Sequence, residues 1–197
     1  MTPDDILPTY EKVGAAFAAR RNQSLWEKPL LDWLLSAAAG THLLDIGCGG
    51  GLPIARYLTD HGAQVTAIDG AQSMVDICRQ NVPEATVLRA DMRAFDLGKT
   101  FDGLIAFNSF FHLSPADQHR AFTCFTAHAK PGAALIFTAG PEAGEKVGAV
   151  EGEPVYHASL APAGYRALFT KHGWDEIAFR PEDPEFHGHT IWQAVKL

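Results

Sequence analysis

The feature that most constrains this chain is a short apolar run that ends in a glycine bend, Leu43-Leu44-Asp45-Ile46-Gly47-Cys48-Gly49-Gly50-Gly51. An apolar run this short, bounded by glycines, reads as a strand buried on both faces. Glycines give the chain a tight turn and leave no Cβ between the backbone and an approaching ligand. In an open α/β sheet, ligands sit beyond the carboxyl ends of the strands, at the point where strand order reverses. Asp45 places a carboxylate at that end, just before the first glycine.

The rest of the chain repeats this unit. Apolar strand runs are expected at 41–46, 64–68, 85–89, 101–107 and 133–138. Helical patterns lie between and before them, at 10–22, 26–39, 52–61, 71–81 and 115–129. The last of these opens with Ser114-Pro115-Ala116-Asp117, a serine cap with proline at the first helical position. Residues 140–153, rich in Gly and Glu, read as a loop or flap, and a helix at 162–172 ends at Gly173. Strands at 174–180 and 189–197 close the chain, joined by 181–188. Alternating β–α units followed by a strand pair imply an α/β, doubly wound, seven-stranded sheet, mostly parallel with an antiparallel last strand and helices on both faces.

Length and composition narrow the class further. At roughly 150 residues per domain, 197 residues argue for a single domain spanning 1–197. The hydrophobic fraction is 47% and the charged fraction 20%, ordinary for a soluble globular protein. No stretch approaches the ~18 apolar residues a membrane helix needs. The acidic start Met1-Thr2-Pro3-Asp4-Asp5 is unlike a secretory signal, so no membrane partner and a cytoplasmic location are expected. Cys48, Cys78 and Cys124 are too scattered for a disulfide framework or a zinc knuckle. A formal net charge of −7 without a basic run disfavours nucleic acid as a partner. His187-Gly188-His189 lacks the neighbours a metal site requires and reads as a solvent-exposed strand connection, so no metal is expected.

The glycines decide between ligand classes. A dinucleotide fingerprint needs a small third residue, and Leu52 or Ile54 stands there instead. No lysine follows for a phosphate loop. The pattern is Asp-x-Gly-x-Gly-x-Gly, which resembles motif I of the class I S-adenosylmethionine-dependent methyltransferases. The resemblance extends along most of the chain, through Ala67-Ile68-Asp69-Gly70-Ala71-Gln72-Ser73-Met74, Ala90-Asp91-Met92, Phe101-Asp102-Gly103-Leu104-Ile105-Ala106-Phe107-Asn108 and Lys130-Pro131-Gly132-Ala133. Ala133 departs from the family, where a second glycine is commoner. No Asn/Asp-Pro-Pro-Tyr follows the fourth strand, so the pattern typical of methylating base or glutamine amino groups is absent.

The resemblance implies a Rossmann-like fold, S-adenosylmethionine as cofactor and a small-molecule acceptor. It implies that Asp69 binds the ribose hydroxyls, that Asp91 accepts from the adenine amino group, and that Asp45 lies near the ammonium group. Gly47, Cys48, Gly49 and Gly70 would form the backbone bed, Met74 and Met92 the faces for the adenine ring, and Asn108 the wall beside the methionine portion. Residues 1–40 would be a helical cover, with Tyr10 and Arg21 turned to the cofactor. Methyl transfer mainly needs the nucleophile held in line and dry. Where a base is needed, His112 after the fourth strand and His157 after the Gly/Glu segment are the candidates, since histidine titrates near neutrality. A nicotinamide-dependent oxidoreductase and a non-catalytic S-adenosylmethionine-binding module are the alternatives on the same fold.

Overall fold

The computed structural model describes residues 1–197. A short 3-10 turn (Pro3–Asp5) leads into helix α1 (Ile6–Arg20), followed by α2 (Lys28–Ala37) and strand β1 (His42–Ile46). Then come α3 (Ile54–Asp60), β2 (Gln64–Asp69), α4 (Gln72–Asn81), β3 (Thr86–Arg89) and β4 (Phe101–Ala106). The second half holds α5 (Pro115–Ala127), β5 (Ala129–Ala139), β6 (Gly144–Val150), β7 (Glu153–Ser159), α6 (Pro162–His172), β8 (Trp174–Asp183) and β9 (His189–Lys196).

Seven strands form one sheet in the order β3-β2-β1-β4-β5-β9-β8. β3, β2, β1, β4 and β5 pair in parallel, and β9, the last strand of the chain, runs antiparallel to both neighbours. Strand order reverses between β1 and β4, which places a crevice at their carboxyl ends. Alternate residues of each strand enter opposite cores. Leu44 and Ile46 join Leu104, Phe122, Phe137, Tyr165 and Trp192 under α5 and α6. Leu43 joins Ile105, Ile136, Leu31, Ile54 and Val75 under α2, α3 and α4. No helix is long and apolar enough to cross a membrane.

Beyond shifted ends, as in β5, which starts at Ala129, and β8, which runs to Asp183, two departures from expectation bear on the site. Residues 140–153 are not a loop: β6 and β7 form a separate antiparallel hairpin, paired from Gly144–Ser159 to Val150–Glu153. Its two-residue turn, Glu151 (φ 48°) and Gly152 (φ 80°), has both residues in the left-handed region, as a tight hairpin turn of matching twist requires. Two glycines and the absence of apolar alternation in β6 concealed it. Helix α1 starts at Ile6, before the expected residue 10, because Pro8 sits in the first turn. There the amide it lacks would have had no helical partner. The extension adds Ile6, which packs with Val155, Tyr156 and Ala158 of β7, so α1 bridges the hairpin and α4.

Candidate functional site

The carboxyl ends of β1, β2 and β4 open into a cavity closed on one side by α1. Its lining includes Tyr10, Arg21, Asp45, Gly47, Cys48, Gly49, Asp69, Gly70, Met74, Asp91, Met92, Asn108 and His112. Of the residues singled out in the sequence, His157 alone stands outside this lining. The bend begins at Gly47, whose φ of 72° favours glycine and where an added Cβ would lie 2.3 Å from Ser109 Cβ. The amides of Gly47 and Cys48 both donate to the Ile68 carbonyl, at 2.8 and 3.0 Å, locking the bend to β2. Ser109 Oγ donates to the Ile46 carbonyl at 2.7 Å and locks it to the end of β4. The Cys48 thiol is pushed well above its ordinary pKa by the neighbouring Cys78 thiol and by burial.

The carboxylates differ in what already occupies them. Asp69 accepts from the Gly49 amide through Oδ2 and from the Ala71 amide through Oδ1, both at 2.9 Å. Each oxygen keeps lone-pair capacity for another donor. Burial raises the Asp69 pKa against the opposing pull of those amides. Asp45 is 2% exposed, and its Oδ2 has no hydrogen-bond partner. Burial first, then the Asp69 charge, pushes its pKa up to about 7. A buried carboxylate left unpartnered beside a cavity is suited to a cation. Asp91 is the most engaged: Arg93 donates to it from the backbone amide, from Nε to both oxygens at 3.0 Å, and from Nη2 at 2.7 Å. Burial works to raise its pKa, yet these bonds hold it below the usual carboxylate value. Arg93 Nη1 also donates to Asp4 at 3.0 Å, tying the end of β3 to the N-terminal turn. Arg21 pairs at 2.6 Å with Glu27, which is fully buried.

Two histidines have their tautomers fixed by the backbone. His112 Nδ1 lies 2.9 Å from the Tyr156 carbonyl of β7, and its Nε2 lies 3.1 Å from the Tyr10 hydroxyl. A carbonyl can only accept, so Nδ1 carries the hydrogen. Burial drives the His112 pKa down to about 4, so the ring is neutral and Nε2 is a bare acceptor. Its lone pair is therefore already engaged by Tyr10, which leaves little basicity for the role foreseen from the sequence. His157 packs its ring against Phe111 and His112, behind the cavity wall, with its pKa lowered by burial and by Lys146. Asn108 Nδ2 lies 3.2 Å from His189 Nε2, while His189 Nδ1 donates to the Phe186 carbonyl at 2.8 Å. His189 is thus half-buried against Trp26 and Phe107, not part of an exposed connection. No group of three or more His, Cys, Asp or Glu is placed to hold a metal ion.

The structure adds residues that sequence reading passed over. Ile6, Leu7, Phe17 and Ala18 line the cavity from the face of α1 that also carries Tyr10, with Arg21 just past its end. Their spacing of three, four and seven was visible, but starting the helix at residue 10 cut it short. Arg93 was legible only as a charge two residues after Asp91. Its second partner, Asp4, lies 89 positions away in sequence.

Known proteins share this architecture. Residues 43–132 match the model of a family described as "Methyltransferase domain". A dTDP-3-amino-3,6-dideoxy-alpha-D-glucopyranose N,N-dimethyltransferase of Streptomyces fradiae is 33% identical over 96 residues, 48% of this chain and 37% of that protein. A ubiquinone biosynthesis O-methyltransferase of Coxiella burnetii is 33% identical over 105 residues, 50% of this chain and 43% of that protein. The match therefore spans less than half the length of either relative. The solved structure of an amino pentose methyltransferase from Micromonospora echinaspora, with S-adenosylmethionine bound, superposes with a TM-score of 0.73 at 20% identity, covering 93% of this chain and 95% of that one.

Proposed function

We propose that this chain is a class I S-adenosylmethionine-dependent methyltransferase, as its fold and its glycine-and-acid segment support, and that it transfers a methyl group from S-adenosylmethionine to a small-molecule acceptor. The observation that carries the reading is the pairing of two carboxylates at one glycine bend, buried Asp45 with an oxygen unpartnered and half-buried Asp69 with lone pairs to spare. The donor set fits the cofactor. Asp69 can accept both hydroxyls of a vicinal diol without losing its own amide partners. Asp45 supplies negative charge where an ammonium or sulfonium needs it. Met74 and Met92 offer polarisable faces to a purine ring. Arg21, with donors beyond those used by Glu27, suits an amino-acid carboxylate. Asp91 can meet an adenine amino group only by sharing oxygens that Arg93 already fills.

When bound, the cofactor supplies an electrophilic methyl on a positively charged sulfur. The chain's own work is to hold, align and exclude water, the contributions that matter most when the donor is already reactive. Gly47 and Gly49 let backbone approach closely, and residues 1–40 act as the cover through α1. Phe107, Leu113 and Phe17 keep the lining apolar around the polar anchors. An acceptor of small size is in keeping with the amino-sugar and quinone-precursor names of the relatives.

Calorimetry with S-adenosylhomocysteine tests the reading. The full chain is expected to bind it, and Asp69→Ala to weaken binding by about 2–3 kcal/mol, roughly 30- to 150-fold, for two lost hydrogen bonds to a charged group. Absence of binding at high micromolar ligand, or unchanged affinity in the variant, would count against it.

A further inference from the structure

We propose that His112 is a positioning residue that fixes the direction of the Tyr10 hydroxyl, so that Tyr10 meets the methyl acceptor only as a hydrogen-bond acceptor and selects acceptors carrying an N–H or O–H at the atom to be methylated. The proposal rests on the methyltransferase reading for its chemistry and on hydrogen-bond geometry for its direction. The Tyr156 carbonyl takes the Nδ1 hydrogen of His112, leaving Nε2 without one. The Tyr10 hydroxyl, 3.1 Å from Nε2, must donate there. A hydroxyl has one hydrogen, and it is spent inside the wall. Any further partner of the Tyr10 oxygen has to bring its own hydrogen.

Tyr10 and His112 line the same cavity as the glycine bend, so this oxygen belongs to the site. Its ring is fixed on two sides, edge-on against Phe17 and edge-on against His112. The orientation is held by three elements at once: α1 brings Tyr10, the turn after β4 brings His112, and β7 brings the carbonyl. A neutral amine or a hydroxyl satisfies this oxygen with its hydrogen and is bound by it. A tertiary amine or an ether leaves it unpaired in a half-buried wall, which costs binding. As the N–C bond to a neutral amine forms, the S–C bond of the cofactor breaks, S-adenosylhomocysteine leaves, and the proton of the new ammonium passes to solvent; an amine acceptor is therefore methylated as far as the tertiary amine and no further.

The test uses the full chain. Nitrogen-15 NMR of His112 is expected to show the Nδ1–H tautomer, with the Nε2 resonance moving in Tyr10→Phe while the tautomer stays. Methyl transfer is then measured by mass spectrometry on matched acceptors, each primary or secondary amine beside its tertiary amine and each phenol beside its methyl ether. Tyr10→Phe and His112→Leu are expected to lower kcat/KM for N–H and O–H acceptors about tenfold. His112→Gln is expected to restore most of that, since its amide can donate to the Tyr156 carbonyl and accept from Tyr10. S-adenosylhomocysteine affinity should stay within about threefold in the Gln variant, because that side chain keeps both hydrogen bonds of the wall. An Nε2–H tautomer, a Gln variant as damaged as the Leu variant, equal rates on tertiary amines, or no transfer to any N–H or O–H acceptor while the cofactor product binds would each overturn the proposal. If wild-type chain binds no S-adenosylhomocysteine, the methyltransferase reading fails instead, and the NMR result still reports the hydrogen-bond direction on its own.

Discussion

At the scale of the residue, Asp45 carries the largest electrostatic cost in the site. Its pKa of about 7 lies far above the ~3.9 of an unfolded aspartate. A carboxyl whose folded pKa is raised stabilises the fold below its unfolded pKa and loses that contribution as pH rises through the folded one. The ligand-free protein should therefore lose stability between about pH 4 and 7 relative to Asp45→Asn. At pH 8 the variant should unfold about 1–3 kcal/mol later, while at pH 4 the two should be alike; thermal melts at both pH values check this. A bound cation reverses the preference by favouring the ionised form, so cofactor binding near pH 7 should release protons. Calorimetry in buffers of different ionisation enthalpy reads that release directly. The sequence showed the acid at this strand end and the charge opposite it. It could not show that one oxygen would be left without a partner, because that depends on Asp69 and on the depth of the bend. Asp91 is the converse: equally visible in sequence, it proves to be filled by Arg93.

At the scale of the element, strands β1, β2, β4 and β5 were legible because a sheet covered on both faces demands unbroken apolar runs. The hairpin was not, since β6 is largely exposed and gains order from β7, which packs against α1 and the turn holding His112. Its turn offers a clean test. Gly152→Val puts a branched side chain at φ 80° and is expected to cost about 1–2 kcal/mol in urea unfolding. Glu151→Asn should cost little, since asparagine tolerates the left-handed region and the Arg20–Glu151 pair it removes has a largely exposed arginine partner. Equal losses for the two would contradict the turn geometry. Gln118 ties the same region together from α5, donating to the Leu113 and Ala158 carbonyls and accepting from the Tyr165 hydroxyl.

At the scale of the whole molecule, two aromatic and aliphatic cores flank a single sheet, and the cavity lies at the end of both. A ligand that binds only the folded chain adds about 2.7 kcal/mol at a hundred times its Kd. For 197 residues this corresponds to a rise in Tm of about 5–10 °C with saturating S-adenosylhomocysteine, readable by scanning fluorimetry. The same rise with NADH in place of that ligand would point to the wrong cofactor. Protection from hydrogen exchange should concentrate in α1, β7 and the ends of β1 and β2, since these form or brace the walls. The overall class was evident from the order of units along the chain. The walls were not, because they join segments more than 100 positions apart, such as Tyr10 and His112.

That separation bears on how the protein is made. Ile6 finds its apolar neighbours in Val155, Tyr156 and Ala158 while the rest of α1 packs on α4, so the helix can dock early but its wall is finished only when the hairpin has folded. A fragment that stops short of the hairpin therefore lacks a finished chamber for the cofactor.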